Sequence, residues 1–305
     1  MTKNNKLKTI NYKLITIVGP TAAGKTELAI RLTKKFGGEI VSADSRQVYK
    51  EMDIGTGKIT KKGKRGIPHY LIDIVEPNEE FNAAIFKKLA IRTIKDIQKR
   101  GKLPFLVGGT GLYIQAIVDN IEFPEVPPQK KLRERLEKKS EKELFKIYQK
   151  LDSEGSKYID KNNKRRLIRA IEVCKMTGKP FWRQREKEES LFDILELGIK
   201  TEKEKLKERV SNRVEKMIKS GLEQEVKNLV KKYGRNIPPF QTIGYSEWKD
   251  FFKGKININE VKNLITLHTL QFAKRQMTWF KRDKKIRWVQ NCQMAEKLVK
   301  NFLKK

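Results

Sequence analysis

A phosphate-binding loop is predicted near the start of the chain, where residues 19–26 read "GPTAAGKT". The stretch matches the pattern GxxxxGK[ST] and lies between an apolar run and a helical pattern, which is the context that the pattern requires. Its glycines allow backbone N–H groups to surround an anion, Lys25 can reach an outer phosphate, and the Thr26 hydroxyl can bind Mg²⁺. The pattern is typical of nucleotide-binding proteins, including those that bind ATP, but it specifies only a phosphate chain.

Two other polar stretches follow apolar runs and contain residues that could do chemistry. In "SADSRQVY" (42–49), Asp44 could bind Mg²⁺, act as a general base, or cap a turn with its side chain. In "GGTGLYIQAI" (108–117), the two glycines permit close approach of the backbone to a ligand. Thr110 could contact that ligand, cap the helix that follows, or do both.

Short β-rich runs alternate with helical patterns on both sides of the middle of the chain. Strands are predicted at 13–18, 39–44, 70–75, 103–109 and 192–200, and helices at 25–37, 83–101, 202–220, 222–233 and 259–282. This alternation predicts a parallel sheet with helices on both faces. Ligands of such sheets bind at the carboxyl ends of the strands, so the three polar stretches are expected on one rim, which favours chemistry for Asp44.

The sequence changes in character after Asp119, where the proline-rich segment 123–130 is followed by charged helical patterns without strands. We therefore predict a core formed by residues 1–119 and 191–305, and a helical insertion domain formed by residues 120–190. The expected fold class is α/β, with a core like that of the P-loop NTPases. In the insertion, three arginines share a face away from the apolar residues and could bind phosphates, or could simply be solvated: Arg165, Arg166 and Arg169.

Two basic helical segments outside the insertion allow a functional and a structural interpretation. Arg209 and Arg213 lie four residues apart, on one ridge of a helix, where solvated arginines are common. The segment 272–288 interleaves basic and aromatic residues, and aromatic residues at helical spacing usually belong to the core.

The formal net charge of +32 favours a polyanionic partner, although abundant lysine throughout the chain is also consistent with a biased composition. The two cysteines, Cys174 and Cys292, lie in no metal-binding or disulfide pattern, so we expect neither kind of site and a reducing cytoplasm. No run of 18 apolar residues occurs, and the first 19 residues are interpreted as leading into a strand, so no membrane partner is expected.

Several ordered stretches together resemble the bacterial tRNA dimethylallyltransferases, which are also called isopentenyl-tRNA transferases. The resemblance weakens over 130–160 and in the C-terminal tail. It rests on "GPTAAGKTELA" (19–29), "SADSRQVYKEMDIGTGK" (42–58), "PHYLID" (68–73), "FLVGGTGLYIQA" (105–116), "RRLIRAIEV" (165–173), "GLEQEV" (221–226), "TIGYSEW" (242–248) and "AKRQMTWF" (273–280).

The resemblance implies a transferase that moves the dimethylallyl group from dimethylallyl diphosphate to N6 of the adenosine on the 3′ side of the anticodon, position 37 of the tRNA. Asp44 would accept the proton, Thr110 would hold Asp44 or the adenine, and Arg213 would reach the diphosphate from the side opposite the loop. Mg²⁺ would be the cofactor, with Thr26 as its ligand. The residues implied for diphosphate binding are Gly19, Thr21, Ala22, Ala23, Gly24, Lys25 and Thr26.

The resemblance also implies contacts with the tRNA anticodon stem-loop, which the insertion is expected to clasp. A cytoplasmic monomer is expected. The residues implied for tRNA binding are Asp44, Ser45, Arg46, Gln47, Thr110, Arg133, Arg165, Arg166, Arg169, Gln241, Thr242, Ile243, Gly244, Tyr245 and Ser246.

Three other functions compete with this one. A P-loop kinase of a nucleoside or small metabolite would share the fold and the loop but would release ADP instead of diphosphate. An enzyme that prenylates free AMP or ATP would need no large insertion. A non-catalytic RNA-binding protein with a relic loop would not be expected to keep Lys25, Thr26 and Asp44 together.

Overall fold

The computed structural model describes residues 12–184 and 188–305, and the chain divides into two compact units. The core unit comprises Met1–Val118 and Leu191–Lys305, and the insertion unit comprises Asp119–Ser190. These boundaries place Asp119 in the insertion unit and not in the core, to which the sequence pattern assigned it.

A parallel sheet forms the centre of the core unit, as predicted. Its strands lie in the order β3-β2-β4-β1-β5-β6, and every neighbouring pair is parallel. The innermost strands are apolar on both faces because helices cover both sides. The strands are β1 (Lys13–Val18), β2 (Gly38–Ser42), β3 (His69–Tyr70), β4 (Leu103–Gly108), β5 (Asp193–Ile199) and β6 (Arg287–Val289).

The described residues form twelve α-helices, most of them close to the predicted spans. In chain order they are α1 (Lys25–Phe36), α2 (Lys61–Lys64), α3 (Ala83–Lys99), α4 (Gly111–Val118), α5 (Lys130–Glu137), α6 (Glu141–Leu151), α7 (Lys164–Thr177), α8 (Lys203–Lys219), α9 (Leu222–Tyr233), α10 (Trp248–Phe251), α11 (Ile258–Phe280) and α12 (Cys292–Lys304).

Two apolar layers sandwich the sheet. Leu28 and Leu32 of α1 pack with Val299 of α12 on one face, while Phe86 of α3 and Ile114 of α4 pack on the other. Helix α1 begins directly at the phosphate-binding loop, and its start has no side-chain cap. Its first backbone N–H groups therefore remain available to a ligand at the carboxyl end of β1.

A third apolar cluster holds α8, α9 and α11 against the segment that follows β2. Met52 and Trp248 are fully buried there, together with Val210 and Val214 of α8 and Ile265 of α11. This packing fixes the rotation of α8 about its axis. It therefore also fixes the direction of Arg209 and Arg213, which precede Val210 and Val214.

The insertion unit has its own small core of α5, α6 and α7, with Leu144, Leu167 and Ile171 fully buried. Its buried polar groups are paired internally. Asp152 accepts hydrogen bonds from the Tyr148 hydroxyl and the Gly155 N–H, each at 2.8 Å.

One predicted strand is wrong, and two C-terminal elements were missed. Of the predicted strand 70–75, only Tyr70 pairs in the sheet, because Leu71 and Asp73 have φ angles of 60° and 59° that no strand adopts. Neither β6 nor α12 was predicted from the sequence. Among residues 12–184 and 188–305, no helix is both long and apolar enough to span a bilayer.

Candidate active site

Two neighbouring cavities open at the carboxyl ends of β1, β2 and β4. The larger, of about 510 Å³, lies along the phosphate-binding loop and includes Lys25 and Thr26 in its lining. The smaller, of about 310 Å³, lies between the segment after β2 and helices α8 and α11. Four residues line both cavities, and they mark the place where the two meet: Thr21, Asp44, Thr56 and Arg213.

The phosphate-binding loop presents unpaired backbone donors to the larger cavity. Ala22 and Gly24 have φ angles of 61° and 94°, and these left-handed conformations turn the chain around a hollow. Within the described part of the chain, the N–H groups of Ala22, Gly24, Lys25 and Thr26 have no hydrogen-bond partner. Such a set of donors at a helix start is suited to binding a phosphate.

Not every predicted diphosphate residue lies on the cavity wall. Gly19 is tucked against the backbone of Ile199 on β5, and Ala23 is buried with its N–H bonded to the Pro20 carbonyl. Both therefore shape the loop and do not line the larger cavity. Thr21 does line it, but its N–H is already bonded to a side chain of α11, so only its hydroxyl is available to a ligand.

The ammonium group of Lys25 is fixed in the larger cavity, where burial disfavours its charged form. Its Nζ donates to the Pro20 carbonyl at 2.8 Å. Burial lowers the pKa of Lys25 to about 8, with Asp44 opposing that shift and Arg213 adding to it. A phosphate in the larger cavity would restore the charged form, because an opposite charge stabilises the ammonium group.

Asp44 has one of the roles considered from the sequence, that of capping a turn with its side chain. Its Oδ1 accepts from the N–H groups of Arg46 and Gln47 at 2.8 and 3.3 Å, which fixes the turn after β2. Its Oδ2 has no hydrogen-bond partner within residues 12–184 and 188–305. The turn thus holds the carboxylate at the junction of the cavities while one oxygen remains available.

Thr110 supports this turn with its hydroxyl. The Oγ1 of Thr110 accepts from the Ser45 N–H at 3.0 Å, and the Thr110 N–H donates to the Ala43 carbonyl at 3.2 Å. The carbonyl of Thr110 accepts the first bonds of α4, so the residue also begins that helix. Its side chain therefore positions the Asp44 turn and does not cap the helix.

Arg213 reaches the junction from α8, opposite the loop. Its Nη2 donates to the Thr56 carbonyl at 3.0 Å, and its Nη1 lies 3.5 Å from the Thr21 hydroxyl. Burial lowers the pKa of Arg213, and the negative charge of Asp44 opposes that shift. Gly57 has a φ angle of 60°, and a Cβ there would push the guanidinium group out of this position.

The neighbouring Arg209 is also directed at the loop, since its Nη1 donates to the Ala23 carbonyl at 3.2 Å. The interpretation as a solvated face is therefore wrong for Arg213, whereas Arg209 is exposed and its bond to a backbone carbonyl does not exclude that interpretation.

Gln276 on α11 is a residue whose role the sequence analysis missed. It is nearly buried, its Oε1 accepts from the Thr21 N–H, and its Nε2 donates to the Gly109 carbonyl, both at 2.8 Å. It thereby ties the phosphate-binding loop to the loop that carries Thr110. The only signal was its place in "AKRQMTWF", for which no role had been predicted.

The glycines before and after Thr110 make room for the chain itself. A Cβ at Gly109 would collide with Gln276, and a Cβ at Gly111 would collide with the Trp279 ring, while Gly108 faces the Ala43 backbone. Gly108 also lines the larger cavity and Gly109 the smaller one, so the prediction that these two glycines allow a ligand to approach stays a prediction.

Glu225 on α9 was also missed, and it shapes the segment that carries Thr56. Its carboxylate accepts from the N–H groups of Asp53, Ile54 and Gly55 at 2.7 to 3.0 Å, and from the Tyr245 hydroxyl at 2.8 Å. Tyr245, predicted to bind RNA, is buried by this contact and lines neither cavity.

The other residues predicted to bind RNA in the core unit divide between the cavities. Ser45 and Arg46 line the smaller cavity with 241–244, Gln47 lines the larger one, and Ser246 is exposed outside both. Part of the smaller cavity is apolar, which suits a flat or branched hydrocarbon group. Its apolar lining consists of Val210, Val214, Met217, Ile243, Ile265 and Phe272.

In the insertion unit, some of the arginines predicted to bind RNA are paired with a carboxylate and others are accessible. Arg133 and Arg169 both bind the buried carboxylate of Glu172, at 2.8 and 2.6 Å. Arg169 also donates to the Val126 carbonyl at 2.9 Å. Arg165 is exposed and Arg166 is half-buried, so these two are the members of the predicted face that remain accessible.

Mg²⁺ fits the larger cavity as a ligand shared with a phosphate. The described residues contain no group of three carboxylate, histidine or cysteine side chains that would hold a metal alone. Thr26 and Asp44 nevertheless line the same cavity. Mg²⁺ commonly takes one or two protein ligands, waters and phosphate oxygens, so this donor set is sufficient once a diphosphate is bound.

The geometry is that of a P-loop transferase, in which an available carboxylate lies between a phosphate site and a partly apolar cavity. Residues 47–283 match the sequence model of the IPP transferase family, and the chain belongs to that family. It is accordingly a transferase.

Relatives of known name are similar over almost the whole chain. A tRNA dimethylallyltransferase of Carboxydothermus hydrogenoformans is 42% identical, with 92% of each chain covered. One from Thermoanaerobacter sp. is 43% identical, with 96% of each chain covered.

Solved structures agree with this membership. The full-length tRNA isopentenylpyrophosphate transferase of Bacillus halodurans superposes with a TM-score of 0.73 at 36% identity, covering 96% of this chain and 97% of the other. A eukaryotic dimethylallyltransferase acting on tRNA gives a TM-score of 0.78 at 28% identity, covering 92% and 74%.

Proposed function

We propose that this chain transfers the dimethylallyl group from dimethylallyl diphosphate to N6 of the adenosine at position 37 of tRNA, on the 3′ side of the anticodon, and releases diphosphate. The observation that supports this most directly is the position of Asp44. Its carboxylate lies where a cavity lined by phosphate donors meets a cavity with an apolar wall.

The diphosphate would lie against the unpaired N–H groups of the phosphate-binding loop. As the bond between the dimethylallyl carbon and the diphosphate oxygen breaks, negative charge develops on the leaving group. Lys25, which lines the larger cavity, and Arg213, which lies at the junction, would stabilise that charge from two sides. Mg²⁺ held by Thr26 and the diphosphate oxygens would supply further charge neutralisation.

The adenine amine would attack the same carbon from the smaller cavity. Its nitrogen forms the new bond to carbon, and the proton it loses would pass to Asp44, whose Oδ1 is already held by the turn. Thr110 and Gln276 would act on the geometry of this step, because they position the Asp44 turn and the phosphate-binding loop.

The adenosine must leave the base stack of the anticodon loop in order to enter a cavity. We propose that the insertion unit contributes to holding that stem-loop, through the accessible Arg165 and Arg166, and that the enzyme acts as a cytoplasmic monomer.

The decisive experiment incubates the protein and Mg²⁺ with unmodified tRNA and dimethylallyl diphosphate. We expect N6-prenyladenosine by mass spectrometry, at position 37 and with equimolar release of diphosphate. Release of ADP from ATP in place of these products would favour the kinase, and prenylation of free AMP without reaction of tRNA would also overturn the proposal.

A further inference from the structure

Helix α9 carries a carboxylate that lines neither cavity but holds a segment that borders both. Oε2 of Glu225 accepts from the N–H groups of Asp53 and Ile54 at 3.0 and 2.7 Å, and Oε1 accepts from the Gly55 N–H at 3.0 Å. Three successive backbone N–H groups that converge on one carboxylate fix the path of the chain around it. This segment, the 53–57 turn, is therefore anchored to α9 by one side chain.

The 53–57 turn is also closed on itself, since the Gly57 N–H donates to the Ile54 carbonyl at 2.9 Å. Gly55 lines the smaller cavity, Gly57 lines the larger one, and Thr56 lines both. A change at the anchored N–H groups is therefore transmitted to residues that line the two cavities.

Arg213 rests on the second half of the 53–57 turn. Its Nη2 donates to the Thr56 carbonyl at 3.0 Å, whereas the Thr21 hydroxyl lies 3.5 Å from Nη1 and is a weak partner. The guanidinium group also packs against Gly57, where a Cβ would fall 1.8 Å from Nη2. The direction of Arg213 is therefore set by the carbonyl of one residue of the turn and by the missing side chain of the next.

The same carboxylate holds Tyr245 against the 53–57 turn. Oε1 of Glu225 accepts from the Tyr245 hydroxyl at 2.8 Å, and a Cβ at Gly55 would fall 2.5 Å from the Tyr245 ring. Burial raises the pKa of Tyr245, so its hydroxyl stays protonated and donates. Within residues 12–184 and 188–305, Glu225 has no ion-pair partner, and it is the common acceptor of the turn and of the ring packed on it.

We propose that Glu225 is a positioning residue of the transfer reaction, which acts through the 53–57 turn to direct Arg213 at the diphosphate. The inference deepens the proposed function and rests on it, since Arg213 is there given the charge of the leaving group to stabilise. Such stabilisation depends on donors that are fixed before the reaction. If the turn loosens, Arg213 points at the diphosphate for less of the time, so the rate falls although no group that touches substrate has been removed.

Two glutamates of α9 supply a charge-matched test. Glu225→Gln keeps the shape of the side chain but replaces one acceptor oxygen by an NH₂ group, so at least one N–H of the turn loses its acceptor. Glu223→Gln removes the same charge from the same helix, where Glu223 is paired with Lys227 at 2.6 Å. We expect single-turnover transfer at saturating dimethylallyl diphosphate to be about tenfold or more slower in Glu225→Gln, and within about twofold of the parent in Glu223→Gln. The KM for tRNA should stay within about twofold in both variants.

A double-mutant cycle with Arg213→Ala distinguishes positioning from a general loosening of the site. The affinity for inorganic diphosphate in the presence of Mg²⁺ is measured by calorimetry for the parent, the two single variants and the double variant. Glu225→Gln should weaken binding about tenfold in the parent background but less than about twofold in the Arg213→Ala background, because the group that it positions is then absent. Equal factors in the two backgrounds, or no effect in the parent background, would overturn the inference.

Controls separate this role from folding and from the proposed reaction. Glu172→Gln removes a carboxylate with three donor residues from the insertion unit, so it should lower thermal stability without weakening diphosphate binding. If Glu225→Gln does not fold, Glu225→Asp replaces it in the same cycle, because it keeps the charge but ends one methylene further from the turn. A non-additive cycle in a protein that forms no prenyladenosine would overturn the proposed function and leave the positioning role. Prenyladenosine formation with equal factors in both backgrounds would do the reverse.

Discussion

Arginines lie inward in both compact units, but their partners differ. In the insertion unit, Arg133 and Arg169 share the buried carboxylate of Glu172, which also accepts from the Gln129 N–H. In the core unit, the nearest partners of Arg213 are a backbone carbonyl and a hydroxyl, both neutral. An arginine neutralised by a carboxylate stabilises a fold, whereas one with only neutral partners still attracts an anion.

The same contrast holds for the acids. The carboxylate of Glu172 accepts hydrogen bonds from three residues. Burial alone would raise the pKa of Glu172, but the hydrogen bonds from Arg133, Gln129 and Arg169 together hold that pKa below its ordinary value. Asp44 is held through one oxygen, and the other has no partner within the described part of the chain. Partners, and not residue type, distinguish the structural group from the reactive one.

The largest expected effect is that of Asp44→Asn in the core unit. The amide keeps an oxygen for the turn but cannot accept the proton of the adenine amine, so turnover should fall by about 10²–10⁴-fold. Single-turnover rates with tRNA, together with thermal unfolding, would check this. A variant within threefold of the parent rate would remove Asp44 from the role of base.

Arg213→Ala should follow, with a loss of about 2.7–4 kcal/mol of transition-state stabilisation. The matched change in the insertion unit is Arg133→Ala, which should lower stability and leave kinetics with dimethylallyl diphosphate nearly unchanged. Steady-state kinetics of both variants tests the contrast directly. The contrast between the two units is wrong if both variants lose catalytic rate by the same factor.

Glu172→Gln should destabilise the insertion unit by about 1–3 kcal/mol, since two guanidinium groups lose their charged partner. Because the pKa of Glu172 is lowered on folding, its contribution is present at neutral pH and is lost as the pH falls through that lowered pKa. Denaturant unfolding at pH 7 and in acid would measure both effects. The difference in unfolding free energy between parent and variant should shrink in acid. A difference that stays constant with pH would contradict a stabilising role of the Glu172 carboxylate.

The smallest effect concerns the pH dependence of diphosphate binding. With the pKa of Lys25 lowered to about 8 in the empty site, its charged fraction falls as the pH rises through that value. Affinity for inorganic diphosphate should therefore drop by up to about tenfold between pH 7 and pH 9. Calorimetric titration checks this, with Lys25→Arg as the control that stays charged and should give a flatter profile.

Local pattern was sufficient to predict much of the fold. The phosphate-binding loop and the alternation of strands and helices are properties of neighbouring residues, and both the parallel sheet and the predicted family are confirmed. The strand predicted at 70–75 is wrong because its conformation is not set by neighbouring residues alone. Its apolar residues fit a strand, but Leu71 and Asp73 are left-handed, and the Asp73 N–H donates to the Gln47 carbonyl, 26 residues earlier in the chain.

The candidate site was predictable only in part. Asp44, Lys25 and Arg213 were identified and all line the larger cavity, while their roles stay predictions. Nothing local distinguishes Gln276, whose partner Thr21 is 255 residues away. By contrast, the pairing of Arg169 with Glu172 has a spacing of three residues on a helix, a signal that was present in the sequence.

The contact between α11 and the glycines that flank Thr110 has an evolutionary consequence. Gln276 and Trp279 occupy the space that side chains at positions 109 and 111 would need. The end of the Gln276 side chain can move aside, but the Trp279 ring is rigid, so the pair 111/279 should covary across homologues more strongly than the pair 109/276. Chimeras that exchange α11 between distant members should recover activity only when the 108–111 loop is exchanged with it.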